Sequence, residues 1–166
     1  MPFTKKDLPI NVEAIKGFLA DDEGEALFAA ASESINLGPC LEVGSYCGKS
    51  TVYLGAACQQ KNGIVYAIDH HRGSEEHQLG EEYHDSDLFD AQAQLMDTFK
   101  EFRRVMREAK LEDTVIPIVA ASKLASTNWS TPLGMVFIDG GHSLDAAIAD
   151  YRAWATHVSV GGILAI

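Results

Sequence analysis

Apolar positions recur along this chain in two alternating rhythms. Val12–Ala20, VEAIKGFLA, has helical spacing. A second helix is expected from DDEGEALF onward, with Asp22 as N-cap and Glu25 three residues later as its capping-box partner. That helix runs through EALFAAASESI to about Asn36, where Gly38-Pro39 stops it. The period then shortens. CLEV (Cys40–Val43), GIVYAID (Gly63–Asp69), TVIPIVA (Thr114–Ala120), GMVFIDG (Gly134–Gly140) and GGILAI (Gly161–Ile166) are short apolar runs that read as strands. Between them, STVYLGAACQ (Ser50–Gln59), Asp90 to about Lys110, and SLDAAIADYRAWATHV (Ser143–Val158) read as helices.

Near-continuous apolar strands alternating with helices predict an α/β fold. It is expected to be a doubly wound, mostly parallel sheet with helices on both faces. Ligands in such folds sit outside the carboxyl ends of the strands, which here carry Val43-Gly44, Asp69, Ala120-Ala121 and Asp139. The natural division is an N-terminal helical segment, 1–22, followed by the sheet domain, 23–166. The last run stops at Ile166 inside what reads as a buried strand. Further C-terminal elements are expected beyond it, in preference to a partner subunit completing the sheet.

Composition narrows the class. With 166 residues, 46% apolar and 22% charged, the chain has the make-up of a soluble globular domain. No apolar run reaches the ~18 residues a membrane-spanning helix needs. The start, MPFTKKDLP, has no secretory pattern. Cys40, Cys47 and Cys58 match no metal spacing, so free thiols in a cytoplasmic protein are the expectation. The 24 acids against 13 bases, a formal charge of −11, would repel nucleic acid. The one basic cluster, Lys100, Arg103, Arg104, Arg107 and Lys110, has the spacing of an outer helix face that also carries Glu101 and Glu108.

The candidate chemistry centres on LEVGSYCGKST (Leu41–Thr51), between the first strand and its helix. Gly44 lets the chain turn off the strand, and Gly48 is expected to let the helix start approach a ligand. Tyr46 stands where a dinucleotide motif needs its middle glycine, and the glycine spacing is one residue short of a P-loop. Both phosphate-cradle readings are therefore disfavoured.

The pattern E-x-G-x-x-x-G after a first strand resembles motif I of the class I S-adenosylmethionine-dependent methyltransferases. The resemblance covers roughly 23–166. It implies that Glu42, Gly44, Ser45 and Gly48 form the loop around the methionine part of the cofactor. It also implies that Asp69, closing VYAID, holds the ribose hydroxyls, with His70 flanking the adenosine. MVFIDGGHSLDAAIADYRAW makes the chain similar to the small-molecule O-methyltransferase branch, including catechol and macrocin O-methyltransferases. Within that branch Asp139 corresponds to an acid beside the methyl acceptor that often ligates a divalent cation such as Mg²⁺. Relatives often carry a Gly-Asp-Ser turn near the adenine; here Ala120-Ala121-Ser122 stands in its place, leaving Ser122 as the residue for the ring edge.

The implied activity is methyl transfer from S-adenosylmethionine to an oxygen, or a nitrogen, of a small molecule. A homodimer is compatible with it. Two rivals stay open: a non-catalytic cofactor-binding module of the same fold, and a nicotinamide-dependent oxidoreductase, which Tyr46 opposes. Asp139 has an alternative as a helix cap, although Ser143 is the better placed cap. His142 reads equally as a solvent-exposed loop residue and as a base or ligand at the pocket mouth. Cys47 lacks a paired base, and Trp129, Trp154 and Tyr151 read as packing residues.

The stretch AIDHHRGSEEHQLGEEYHDSD (Ala67–Asp87) holds four of the six histidines. Their spacing does not suit a preformed transition-metal site. At least one of His70 and His71 is expected at the pocket mouth, with His70 or His142 taking the proton. His77, His84 and Asp85 are expected on a segment over the acceptor site. Arg72 has a neighbouring acid such as Glu75 as its default partner, with an acceptor carboxylate as the alternative.

Overall fold

The computed structural model describes residues 3–74, 85–141 and 143–166. Five strands form one sheet: β1 (Cys40–Val43), β2 (Val65–Asp69), β5 (Val115–Val119), β6 (Leu133–Ile138) and β7 (Val158–Ala165). Their order is β5-β2-β1-β6-β7, and every neighbouring pair is parallel. The expected doubly wound sheet is therefore present. Chain order reverses at β1, which puts the crevice for a ligand beside the carboxyl ends of β1 and its neighbours.

β1 shows how the sheet is covered. All four of its residues are buried, and strand alternation sends them to opposite faces. Leu41 and Val43 join Ile68, Val136, Ile138 and Trp154 in one apolar cluster. Cys40 belongs to the larger cluster on the other face, with α1 (Asp21–Ser34), α2 (Lys49–Gln59) and α3 (Phe99–Glu108) supplying Leu27, Val52, Leu54, Phe102 and Val105. Trp154 closes α5 (Leu144–Trp154) and meets Trp129 edge-on at 5.2 Å, so both are packing residues as expected. Tyr151 is instead 48% exposed.

Two predicted helices are corrected. Val12–Ala20 is not an α-helix; only Val12–Ala14 forms a single 3₁₀ turn. Gly17, at φ +148°, takes a conformation that ends any helix there. Leu8, Val12 and Ile15 still bury their side chains in the main core, which accounts for the helix-like spacing. Likewise, Asp90 to Phe99 does not begin a long helix. Phe89–Asp90 (β3) and Leu95–Met96 (β4) pair as a short antiparallel hairpin. Asp90 Oδ1 accepts from the backbone N–H groups of Gln92 and Ala93 at 2.9 and 3.1 Å, which diverts the chain into a turn. The helix starts only at Phe99.

The other boundaries move by a few residues. α1 starts with Ala20 as N-cap rather than Asp22, and Glu23 Oε2 accepts from Ala20 N at 2.9 Å. The helix after β6 ends at Trp154, and β7 begins at Val158. Among the described residues no helix is long and apolar enough to cross a membrane. On α3, Arg104 is held by Glu101 at 2.5 Å and Glu108 at 2.6 Å, the acid-studded outer face that the basic spacing suggested.

Candidate functional site

A cavity of about 920 Å³ opens at the carboxyl ends of the strands. Gly44, Ser45, Asp69, His70, Ser122 and Asp139 all line it. The sequence reading thus placed six of its site residues around one space. Glu42 and Gly48 do not line it, and His142 lies outside the described residues, as do Glu75, His77 and His84.

Glu42 sits beneath the floor, with 0% exposure. It lies on the α2 face of β1, where Ser50 Oγ and Thr51 Oγ1 each donate to one of its oxygens at 2.5 Å. Burial pushes its pKa up to about 7, and the charge of Asp139 adds to the rise, while the hydroxyls of Ser50, Thr51 and Ser45 pull the other way. Glu42 therefore pins the first turn of α2 to the strand. Sequence reasoning missed Ser50 and Thr51; the legible signal was a pair of hydroxyls at the start of the next helix, eight and nine residues past an in-strand acid.

Gly44 is required by geometry. Its φ is +90°, and a Cβ there would lie 2.2 Å from the Asp139 carbonyl oxygen. Asp139 N also donates to Val43 O at 2.8 Å, so the β1 loop and the end of β6 touch backbone to backbone. Gly48, at φ +92°, would place a Cβ 2.9 Å from Met106 Cε and 3.2 Å from Phe102. The room it leaves is taken by α3 and not by the cavity.

Asp69 closes β2 and fixes two loops. Its Oδ2 accepts from Tyr46 N at 2.8 Å and its Oδ1 from His71 N at 2.7 Å. A carboxylate has about four lone-pair positions, so two remain for a ligand. His70 Nδ1 accepts from Arg72 N at 3.0 Å. In the neutral ring that leaves the proton on Nε2, making His70 a donor to the cavity. Arg72 itself donates to Met96 O at 3.3 Å.

His71 faces inward, away from the cavity lining. It is 2% exposed and packs on the rings of Phe99 and Phe102, with Nδ1 2.7 Å from Thr98 Oγ1. Burial lowers its pKa, against the pull of Asp69 and Asp97. It ties the loop after β2 to the start of α3. Cys47 is buried too, and burial pushes its thiol up to about 12, so it is no nucleophile at neutral pH.

Ser122, the first residue of α4 (Ser122–Ala125), accepts through Oγ from Trp154 Nε1 at 2.8 Å. Ser143, not Asp139, caps α5, its Oγ accepting from Ala146 N at 3.2 Å. Asp139 stays exposed at the cavity wall beyond the end of β6. Among the described residues no group of three His, Cys, Asp or Glu side chains is placed to hold a metal ion. The described donors therefore do not fit the Mg²⁺ site that the resemblance implied around Asp139.

The N-terminal segment adds a wall the sequence did not reveal. Lys16, Gly17, Phe18 and Leu19 line the cavity. Lys16 Nζ reaches Asp85 at 2.5 Å and Asp87 at 3.0 Å, and those bonds raise its pKa.

Comparison with known proteins finds the same fold in solved structures. The chain is similar to the O-methyltransferase NovP, with a TM-score of 0.65 and 19% identity over 85% of this chain and 63% of that one. It is also similar to an SAH-bound methyltransferase from Podospora anserina, with a TM-score of 0.63 and 12% identity over 89% and 52%. A third likeness is to an O-methyltransferase from Bacillus cereus in complex with SAH, with a TM-score of 0.56 and 19% identity over 86% and 53%. This chain thus spans little more than half the length of the last two proteins. A family model described as a methyltransferase domain matches residues 41–166, and the chain belongs to that family.

Proposed function

We propose that the chain binds S-adenosylmethionine and transfers its methyl group to an oxygen of a small molecule. The observation that carries this reading is one cavity holding Gly44, Ser45, Asp69 and Asp139 at the carboxyl ends of β1, β2 and β6. The bound nucleotide supplies a methyl group on a positively charged sulfur. Everything else falls to the protein, and it is mostly positioning.

Asp69 is the ribose receptor. Its two remaining lone-pair positions suit two neighbouring hydroxyls, and its bonds to Tyr46 and His71 fix its orientation. Gly44 and Ser45 shape the methionine pocket. Glu42 and Gly48 act one layer back, holding the loop to α2 and α3. Ser122 flanks the adenine side, and His70 offers Nε2–H beside the adenosine.

Asp139 faces the acceptor. An exposed carboxylate accepts the acceptor's O–H hydrogen bond and turns the oxygen lone pair towards the methyl carbon. The new C–O bond forms as the S–CH₃ bond breaks, and the hydroxyl proton leaves by way of the carboxylate.

Calorimetric titration tests the reading. S-adenosylmethionine and S-adenosylhomocysteine should bind in the micromolar range, with NAD⁺ far weaker. Tighter binding of NAD⁺ than of either sulfur nucleotide would sink it.

A further inference from the structure

His71 is a buried imidazole that does not line the cavity, although it stands two residues past the acid that does. Its backbone is left-handed, at φ +57°, a conformation that glycine adopts freely and most side chains resist. Glycine would serve the turn alone. A histidine in its place points to a use for the ring.

That ring is held from three directions. Phe99 and Phe102 of α3 pack on it at centroid distances of 4.9 and 5.3 Å. Its Nδ1 lies 2.7 Å from Thr98 Oγ1. Thr98 is the N-cap residue of α3, yet its side chain makes no capping bond to the helix. Asp97 Oδ1 takes the Phe99 N–H instead, at 3.0 Å, which leaves the Thr98 hydroxyl to His71. The main chain repeats the link, with Thr98 N donating to His71 O at 3.2 Å. The third contact is with the Tyr46 backbone. Tyr46 is itself left-handed, at φ +46°, and its N–H holds Asp69 Oδ2. His71 N holds the other oxygen, Oδ1. Both donors that orient Asp69 therefore belong to residues joined at one imidazole, and Thr98 fixes that imidazole to α3.

We propose that His71 is a positioning residue: its ring, anchored to α3 through Thr98, aims the Asp69 carboxylate at the two ribose hydroxyls. The proposal rests on the reading of Asp69 as ribose receptor and extends it to a residue outside the cavity. A carboxylate on a loose loop still attracts hydroxyls, but it gains less from a pair at fixed spacing. The ring thus governs how sharply the site distinguishes a ribose from a deoxyribose, more than how tightly it holds the nucleotide as a whole.

The readout is a ratio of affinities in the full chain, S-adenosylhomocysteine over its 2′-deoxy analogue, by calorimetric titration. Wild type should favour the hydroxylated ligand by about tenfold or more, the scale of a hydrogen bond to a charged group. His71→Gly keeps the left-handed turn and the N–H to Asp69 but removes the ring, and should bring the ratio below about threefold. His71→Asn suits the same backbone and offers Oδ1 to the Thr98 hydroxyl, so it should retain most of the preference. Thr98→Val should lower the ratio too, and add nothing in combination with His71→Gly, because the two act through one contact. An unchanged ratio in His71→Gly, even with both affinities reduced, would overturn the proposal, since the ring would then serve the fold alone. Should that variant not fold, Thr98→Val decides, and an unchanged ratio there is equally fatal. Additive losses in the double variant would overturn the anchoring through Thr98. Wild type binding both ligands equally would remove Asp69 from the ribose, and the proposal with it. A wild-type chain that bound neither would refute the methyltransferase reading itself, a result separate from the others.

Discussion

The two sides of the cavity are built differently. On the side proposed for the donor, the acids are sheltered: Glu42 is buried and held by two hydroxyls, and Asp69 is half-buried and held by two backbone N–H groups. On the opposite side, Asp139 stands exposed beyond the end of β6, next to Gly140 and Gly141. A site that must hold the same nucleotide at every turnover benefits from a fixed receptor, and fixing it takes buried partners. The contrast predicts that changes on the donor side will be felt in stability and nucleotide affinity, whereas changes at Asp139 will be felt in turnover.

The largest effect should come where the two sides touch. Gly44→Ala puts a Cβ against the Asp139 carbonyl at a positive φ, and should cost about 3–5 kcal/mol in urea unfolding. A cost under about 1 kcal/mol would mean that the loop is not locked to β6.

Next is the pH dependence of Glu42. Its folded pKa lies above its ordinary value, so folding favours the protonated form. The associated stabilisation is complete below about pH 4.5 and is lost as pH rises to about 7. Relative to Glu42→Gln, the wild-type chain should therefore lose about 3 kcal/mol between those two values, measured by denaturant unfolding at each pH. A constant difference would mean that Glu42 stays charged in its hydroxyl cradle.

Asp69→Ala should weaken S-adenosylhomocysteine binding by about 1.5–3 kcal/mol, the range for hydrogen bonds to a charged group. The smallest binding effect belongs to Asp139→Asn, which should shift nucleotide affinity by less than about 0.5 kcal/mol. Methyl transfer to any acceptor found should nonetheless fall by about a hundredfold, the usual scale for a lost acid–base group. Loss of nucleotide affinity in that variant would erase the distinction between the two sides.

Much of this arrangement was legible in the chain. Strands such as VYAID and MVFID declare themselves, because a parallel strand buried on both faces must be almost wholly apolar until its end. The acids at those ends then stand out. The N-terminal wall was not legible: Leu8, Val12 and Ile15 bury at near-helical spacing, but Gly17 breaks the helix that pattern suggests. The β3–β4 hairpin was hidden for a related reason, since the turn depends on one carboxylate of Asp90 capturing two N–H groups. Gly48 was expected to make room for a ligand and instead makes room for Met106 and Phe102, because sequence shows that space is needed and not what fills it. His70 and His71 are adjacent in the chain and opposite in role, one lining the cavity and the other buried against Phe99 and Phe102. Only the left-handed backbone at His71, φ +57°, separates them, and composition does not carry that information.

The most direct test sets the two acids side by side. Calorimetric titration of S-adenosylhomocysteine into wild type, Asp69→Ala and Asp139→Ala should give a roughly 10- to 100-fold loss for Asp69→Ala and almost none for Asp139→Ala. Equal affinities for wild type and Asp69→Ala, or a larger loss at Asp139, would contradict the assignment of donor and acceptor sides.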